Sequence, residues 1–210
     1  MLAMEKQLRL AATYLSHTDP HLAPVIARSG LASFVPHTDY YRSLTDSIIS
    51  QQLSVKAADA IQHRFRELSG GDFPTPEFIL NKSIADLRGV GLSAAKANYI
   101  RDLAAHIIDG RLTFDKLDRQ TNEQIITELT DVKGIGEWTV HMFLMFCMGR
   151  LDILPSGDLG IRNGIRALYN LPAVPTPAAV HDLAAAYHWH PYESVASWYV
   201  WESLDNKPTV

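Results

Sequence analysis

The chain has 210 residues and only one cysteine, Cys147. One cysteine excludes an internal disulfide, a four-cysteine zinc site and a cysteine-held iron–sulfur cluster. Its thiol reads as a small buried apolar group. Long apolar runs are missing too. The longest, Trp138 to Met148, is interrupted by Thr139 and His141. It is too short to cross a bilayer and is expected to be a buried helix. The opening MLAMEKQLRLAATYL lacks the apolar core and cleavage site of a secretory signal. An intracellular protein with no membrane partner is expected. A basic surplus is absent as well: 19 Lys and Arg face 23 Asp and Glu, a net charge of −4. Phosphate binding ordinarily shows as a basic excess. A nucleic-acid partner would therefore have to be held largely by backbone N–H groups, which need no side-chain charge.

What is present is a core and a series of helix starts. Hydrophobic residues make up 47% and charged residues 20%, enough for one large domain or two compact lobes. Thr75-Pro76 and Thr176-Pro177 pair an N-cap with a proline at the first helical position. Thr121 and Gln124 have capping-box spacing. Ser93 can cap a helix with apolar residues at Ile100, Leu103, Ala104, Ile107 and Ile108, ended by Gly110. Leu44, Ile48 and Ile49 belong to another helix, and Ser54 caps a new one after a turn at Gln51-Gln52. Alternating strand patterns are scarce, so the fold class is all-α, with two helical lobes and a cleft between them. The lobes are expected at 42–150 and at 1–41 plus 151–210.

The richest segment is Thr130-Asp131-Val132-Lys133-Gly134-Ile135-Gly136-Glu137-Trp138-Thr139. Glycines in a tight turn between helices reach φ > 0 and let another backbone approach. The helix that follows points free N–H groups outward, where a phosphate can sit, and Lys133 can add a charge-assisted contact. Taken alone, G-x-G before a helix is usually an ordinary connector. An earlier echo, Leu87-Arg88-Gly89-Val90-Gly91, reads as one, paired with Val132-Lys133-Gly134-Ile135-Gly136. Asp158 lies in Leu154-Pro155-Ser156-Gly157-Asp158-Leu159-Gly160. An aspartate before a helix is ordinarily an N-cap, and a capping carboxylate is rigid and anionic, which suits stabilising a developing cation. His188-Trp189-His190 is read as surface or packing rather than a metal pair.

Four segments in order, Ile48 to Ala58, Val132 to Phe146, Leu154 to Gly164 and Pro191 to Trp201, resemble the motifs of the helix-hairpin-helix-GPD superfamily of DNA glycosylases. The 3-methyladenine DNA glycosylase II branch is the most similar. The resemblance runs from about residue 40 to Leu204. It implies a monofunctional enzyme that flips alkylated purines out of damaged double-stranded DNA and hydrolyses their N-glycosidic bonds, acting as a monomer. Asp158 corresponds to the family's catalytic aspartate. The hairpin, Lys133, Gly134, Ile135 and Gly136 within about 121–148, corresponds to the DNA-binding motif. Gln51, Gln52 and Ser54 form the turn that enters the minor groove, with Gln52 filling the space of the flipped nucleotide. Trp138, Met142, Leu159 and Trp201 correspond to the substrate pocket. The carbonyls of Thr130, Val132 and Ile135 correspond to a site for a monovalent cation, Na or K; no iron–sulfur cluster is expected. Bifunctional relatives carry a nucleophilic lysine where this chain has Trp138, 20 positions before Asp158, so the resemblance implies hydrolysis alone.

The chain also departs from the pattern. Lys133 replaces a proline, so a less rigid hairpin is expected. Gly157 stands where many relatives have a second acidic residue, and Glu193 where a basic one is common. Met142 and Leu159 replace aromatics, implying a wider pocket wall. The alternative readings are a non-catalytic helix-hairpin-helix DNA-binding protein, which has no use for Asp158, and a purely structural helical protein.

Overall fold

The computed structural model describes residues 2–204; Met1 and residues 205–210, assigned from sequence to the second lobe, lie outside them. Among the described residues every regular element is helical. The helices are α1 (Leu2–Thr18), α2 (Ala23–Ser29), α3 (Tyr40–Ser50), α4 (Val55–Glu67), α5 (Pro76–Leu80), α6 (Ile84–Gly89), α7 (Ala94–Ile108), α8 (Asn122–Thr130), α9 (Glu137–Met142), α10 (Leu159–Leu168), α11 (Pro177–Ala186) and α12 (Glu193–Ser203). A 3-10 turn, Phe114–Arg119, precedes α8, and a π-helical turn, Phe143–Cys147, continues α9.

Local chemistry sets most of the starts. The side chains of Ser54, Thr75, Ser83, Ser93, Thr121 and Thr176 each accept the backbone N–H three residues on. Each such cap contributes about 1 kcal/mol. Thr121 and Gln124 close the expected capping box, and Ser83 with Asp86 closes another. The Trp138–Met148 run differs from expectation. Its α-helix stops at Met142, and Trp138 is 47% exposed. The buried residues Thr139, Val140 and Phe143 share one helical face, which turns Trp138 the other way. The π turn then buries Leu144, Met145 and Cys147 together.

The chain divides into two compact units, His37–Phe143 and Met1–Pro36 with Leu144–Val210. The boundaries fall earlier than 42 and 150. No change of composition marks the second, which runs through the π turn.

In the His37–Phe143 unit α7 packs against α3, α5 and α6, and α8 packs on α9. Ile48, Phe65, Ile79, Leu87, Ile100, Leu103 and Leu129 form its core. In the other unit α12 packs against α1, α2 and α10. Seven of its eleven residues are buried, Ser194 and Ser197 among them, so it is covered on nearly all sides, as a central helix is. Here Asp19 is fully buried but fully partnered. Trp189 Nε1 donates to it at 2.8 Å, Tyr169 donates its hydroxyl, and the N–H groups of His21 and Leu22 cap its other oxygen. The His188-Trp189-His190 segment is thus a turn built around a packed tryptophan. Among the described residues no group of three His, Cys, Asp or Glu could hold a metal ion, and no helix is long and apolar enough to cross a membrane.

Candidate functional site

In the His37–Phe143 unit the glycine hairpin joins α8 to α9. Gly134 sits at φ 84°, and a Cβ there would lie 2.2 Å from the Tyr99 ring, so only glycine fits. Val132 and Ile135 are buried beneath the turn, and the Ile135 N–H donates to the Val132 carbonyl at 3.1 Å. Gly136 is the N-cap of α9 with no side-chain cap, and a Cβ there would meet open space. Gly136 thus places no side chain of its own at the start of α9.

The missing proline has a structural counterpart. Lys133, unlike proline, keeps its N–H, and that N–H donates to Asp102 Oδ2 of α7 at 2.9 Å. The Lys133 ammonium is exposed and lies 3.6 Å from the other oxygen of the same carboxylate. The hairpin is held by Asp102 where a ring would otherwise stiffen it.

The two glycine turns are also out of register with their sequence echo. Gly89 and Gly91 align in sequence with Gly134 and Gly136. In the fold the left-handed glycines are Gly91, at φ 105°, and Gly134, and the residues opening the next helices are Ser93 and Gly136. Ser93 turns its hydroxyl onto the Lys96 N–H and so closes the start of its own helix. Gly136 has no side chain with which to do this.

The turn after α3 stands beside the hairpin. Gln51 Nε2 donates to the Gly134 carbonyl at 2.8 Å, so Gln51 ties the two loops together. Gln52 is exposed and held at φ 57°, a conformation that costs a non-glycine residue about 1 kcal/mol or more. Ser54 spends its hydroxyl capping α4. Leu53 and Val55, at the same tip, are exposed apolar residues. Trp138 follows the hairpin with its indole half exposed, whereas Met142 is buried.

The other unit presents Asp158 as the N-cap of α10. Its Oδ1 accepts the Ile161 N–H at 2.8 Å and the Trp201 indole N–H at 3.0 Å. Trp201 is 2% exposed, while Leu159, next to the carboxylate, is 62% exposed. Two glycines one helical turn apart make the tryptophan contact possible. A Cβ on Gly160 would lie 3.0 Å from both Asp158 Oδ1 and Trp201 Nε1, and one on Gly164 would lie 2.5 Å from Val200. Small residues at this spacing let α12 lie close on α10, near enough for its indole to reach the aspartate. Ser194, two turns before Trp201 on α12, secures the chain leading to Asp158. Its N–H donates to Leu151 O, its hydroxyl donates to Arg150 O, and it accepts the Ile153 N–H. No local motif marks Ser194, Tyr99, Lys96 or Asp102 in the sequence. Only the G-x-x-x-G spacing of Gly160 and Gly164 was there to be read.

The chain resembles known proteins over most of its length. Residues 45–187 match the family described as HhH-GPD superfamily base excision DNA repair protein. The DNA-3-methyladenine glycosylase 1 of Schizosaccharomyces pombe is 41% identical over 167 residues, 78% of this chain and 72% of that protein. A second protein of that yeast, the alkylbase DNA glycosidase-like protein mag2, is 27% identical and covered to 96% on both sides. Among solved structures, the S. pombe 3-methyladenine DNA glycosylase in complex with abasic DNA superposes with a TM-score of 0.77 at 37% identity, covering 91% of this chain and 94% of that one. A DNA-3-methyladenine glycosidase from Bacillus halodurans gives 0.81 at 37% identity, over 91% and 87%. The chain belongs to the HhH-GPD superfamily of base excision DNA repair proteins.

Proposed function

We propose that the protein is a monofunctional, monomeric DNA glycosylase that hydrolyses the N-glycosidic bond of alkylated purines of the 3-methyladenine and 7-methylguanine type in double-stranded DNA. The observation that carries this is Asp158, a carboxylate fixed by two N–H donors at the start of α10 in a chain of this family. The relatives named as 3-methyladenine glycosylases support the substrate class.

In this reading the N–H groups at Gly136 and the start of α9 hold a phosphate, and Gln52 occupies the place of the extruded nucleotide. Extrusion costs roughly a few kcal/mol, which binding must supply. The C1′–N bond then breaks with its electron pair going to the base. Asp158 stabilises the cationic sugar carbon, water adds there, and the proton released by water passes to the carboxylate or to solvent. A cationic alkylated base leaves as a neutral molecule, so no proton donor is required. The carbonyls of Thr130, Val132 and Ile135 suit a sodium or potassium ion, since carbonyl oxygens are hard donors. Val132 O keeps a second lone pair beside its bond from Ile135. Such an ion would place positive charge near the phosphate.

Substrate choice follows from the chemistry. A base that already carries a positive charge needs no proton in order to leave, so cationic 3-methyladenine and 7-methylguanine should be released faster than neutral hypoxanthine or 8-oxoguanine. The half-exposed Trp138 indole can add a cation–π contact of about 0.5–2 kcal/mol, so Trp138→Ala should slow cationic lesions more than neutral ones. Single-turnover excision from matched oligonucleotides measures both. Faster release of the neutral bases would overturn the assignment of substrate.

The product should be an intact strand carrying an abasic site. Trp138 offers no amine where bifunctional relatives have lysine, so borohydride added during turnover should trap no covalent protein–DNA complex. A trapped complex mapped to a lysine would contradict a purely hydrolytic mechanism.

A further inference from the structure

Helix α7 carries three side chains that reach the two DNA-facing loops of its unit. Lys96, Tyr99 and Asp102 are spaced three residues apart and share one broad helical face. Lys96 Nζ donates to Ile49 O at 2.8 Å and to Gln51 O at 2.7 Å. These carbonyls close α3 and open the turn that holds Gln52, a place where a cation also meets the negative end of the helix dipole. Tyr99 lies against Gly134. Asp102 accepts the Lys133 N–H. Gln51, donating to Gly134 O, connects the loops from the other side.

We propose that α7 is a rigid mounting for DNA engagement, in which Lys96 is the positioning residue for the Gln52 turn and Asp102 the positioning residue for the hairpin. The inference rests on the glycosylase reading above and deepens it. A duplex must be gripped by phosphate and wedged open at a fixed distance from that grip, so the two loops must not move independently. Gln52 stands in an unfavourable left-handed conformation, which persists only where the surroundings over-determine it. The Lys96 bonds to the carbonyls before it do this. Burial pulls the Lys96 ammonium below the ordinary lysine range, as expected of a cation that has exchanged water for carbonyl oxygens. Asp102 serves the hairpin through an acceptor oxygen, not through its charge.

The two roles separate experimentally. Lys96→Met keeps most of the side-chain volume and loses both donations. It should slow single-turnover excision of a paired lesion by about tenfold, since charge-assisted bonds are lost. The same lesion in a bulge, already unstacked, should be affected by no more than about twofold, because no wedge is needed. Lys96→Arg should restore most of the paired-lesion rate. Asp102→Ala should weaken binding of intact and damaged duplexes alike by several-fold, while Asp102→Asn, which still offers an acceptor to Lys133, should bind nearly as the wild type does. Thermal melting identifies any variant that has lost its fold. A folded Lys96→Met that slows paired and bulged lesions equally, or neither, overturns the wedge role. Equal binding by Asp102→Ala and Asp102→Asn overturns the hairpin role. Wild-type protein that releases no base from either substrate overturns the glycosylase reading instead.

Discussion

Asp158→Asn is expected to abolish base release while the protein still folds and binds DNA. Asparagine keeps an oxygen that can accept the Ile161 and Trp201 N–H groups, so the cap on α10 survives. What goes is the negative charge that the proposed mechanism sets against the sugar cation, and removing one such group typically costs about 10²-fold or more in rate. Single-turnover excision, with affinity and melting temperature measured on the same samples, separates chemistry from folding. Near-normal excision by a folded, DNA-binding variant would refute the catalytic role. Trp201→Phe is a graded companion. It keeps a buried ring and removes one hydrogen bond to the carboxylate, so about tenfold is expected. Because Trp201 is buried and bonded to Asp158, the loss should be equal for cationic and neutral lesions. A larger loss for cationic bases would mean that the indole meets the base itself.

The second large effect separates two glycines that look equivalent in sequence. Gly134→Ala should damage the hairpin directly. The left-handed backbone costs alanine about 1–2 kcal/mol, and the new methyl meets the Tyr99 ring. Affinity for any duplex should fall more than tenfold, with a lower melting temperature. Gly136→Ala should leave the melting temperature unchanged, since its Cβ enters open space. Yet it should still weaken binding to intact and damaged duplexes alike, because that space is where a phosphate would approach the α9 N–H groups and phosphate contacts carry no lesion information. Both are read at one fixed salt concentration, which sets every such affinity. Wild-type binding by Gly136→Ala would remove the hairpin from the DNA interface.

The all-α class, the cap residues at Ser54, Ser93, Thr121 and Thr176, the hairpin and Asp158 were legible in the sequence. Each depends on neighbours within a few residues: a hydroxyl three positions before its N–H, a glycine at its own turn, an aspartate at the head of its own helix. That locality is also why matching letters carry no matching conformation in the echo. Gly89-Val90-Gly91 and Gly134-Ile135-Gly136 match as letters, but the left-handed residue is the second glycine of one and the first of the other. Where each preceding helix ends decides this, and packing determines where it ends. The unit boundaries at Pro36 and Phe143 have no linker to announce them.

What tertiary structure alone decided is how the functional groups are held. Trp201 stands 43 positions from Asp158, Asp102 stands 31 from Lys133 and Lys96 stands 45 from Gln51. No periodicity within one helix relates such pairs, and each partner is an unremarkable core or surface residue until the helices meet. The sequence by itself determined where the capped helices begin and which chemical groups the chain offers. Packing of α12 on α10, and of α7 beneath the two loops, determined which of those groups are held still, because directional hydrogen bonds between distant residues exist only after the intervening chain has folded.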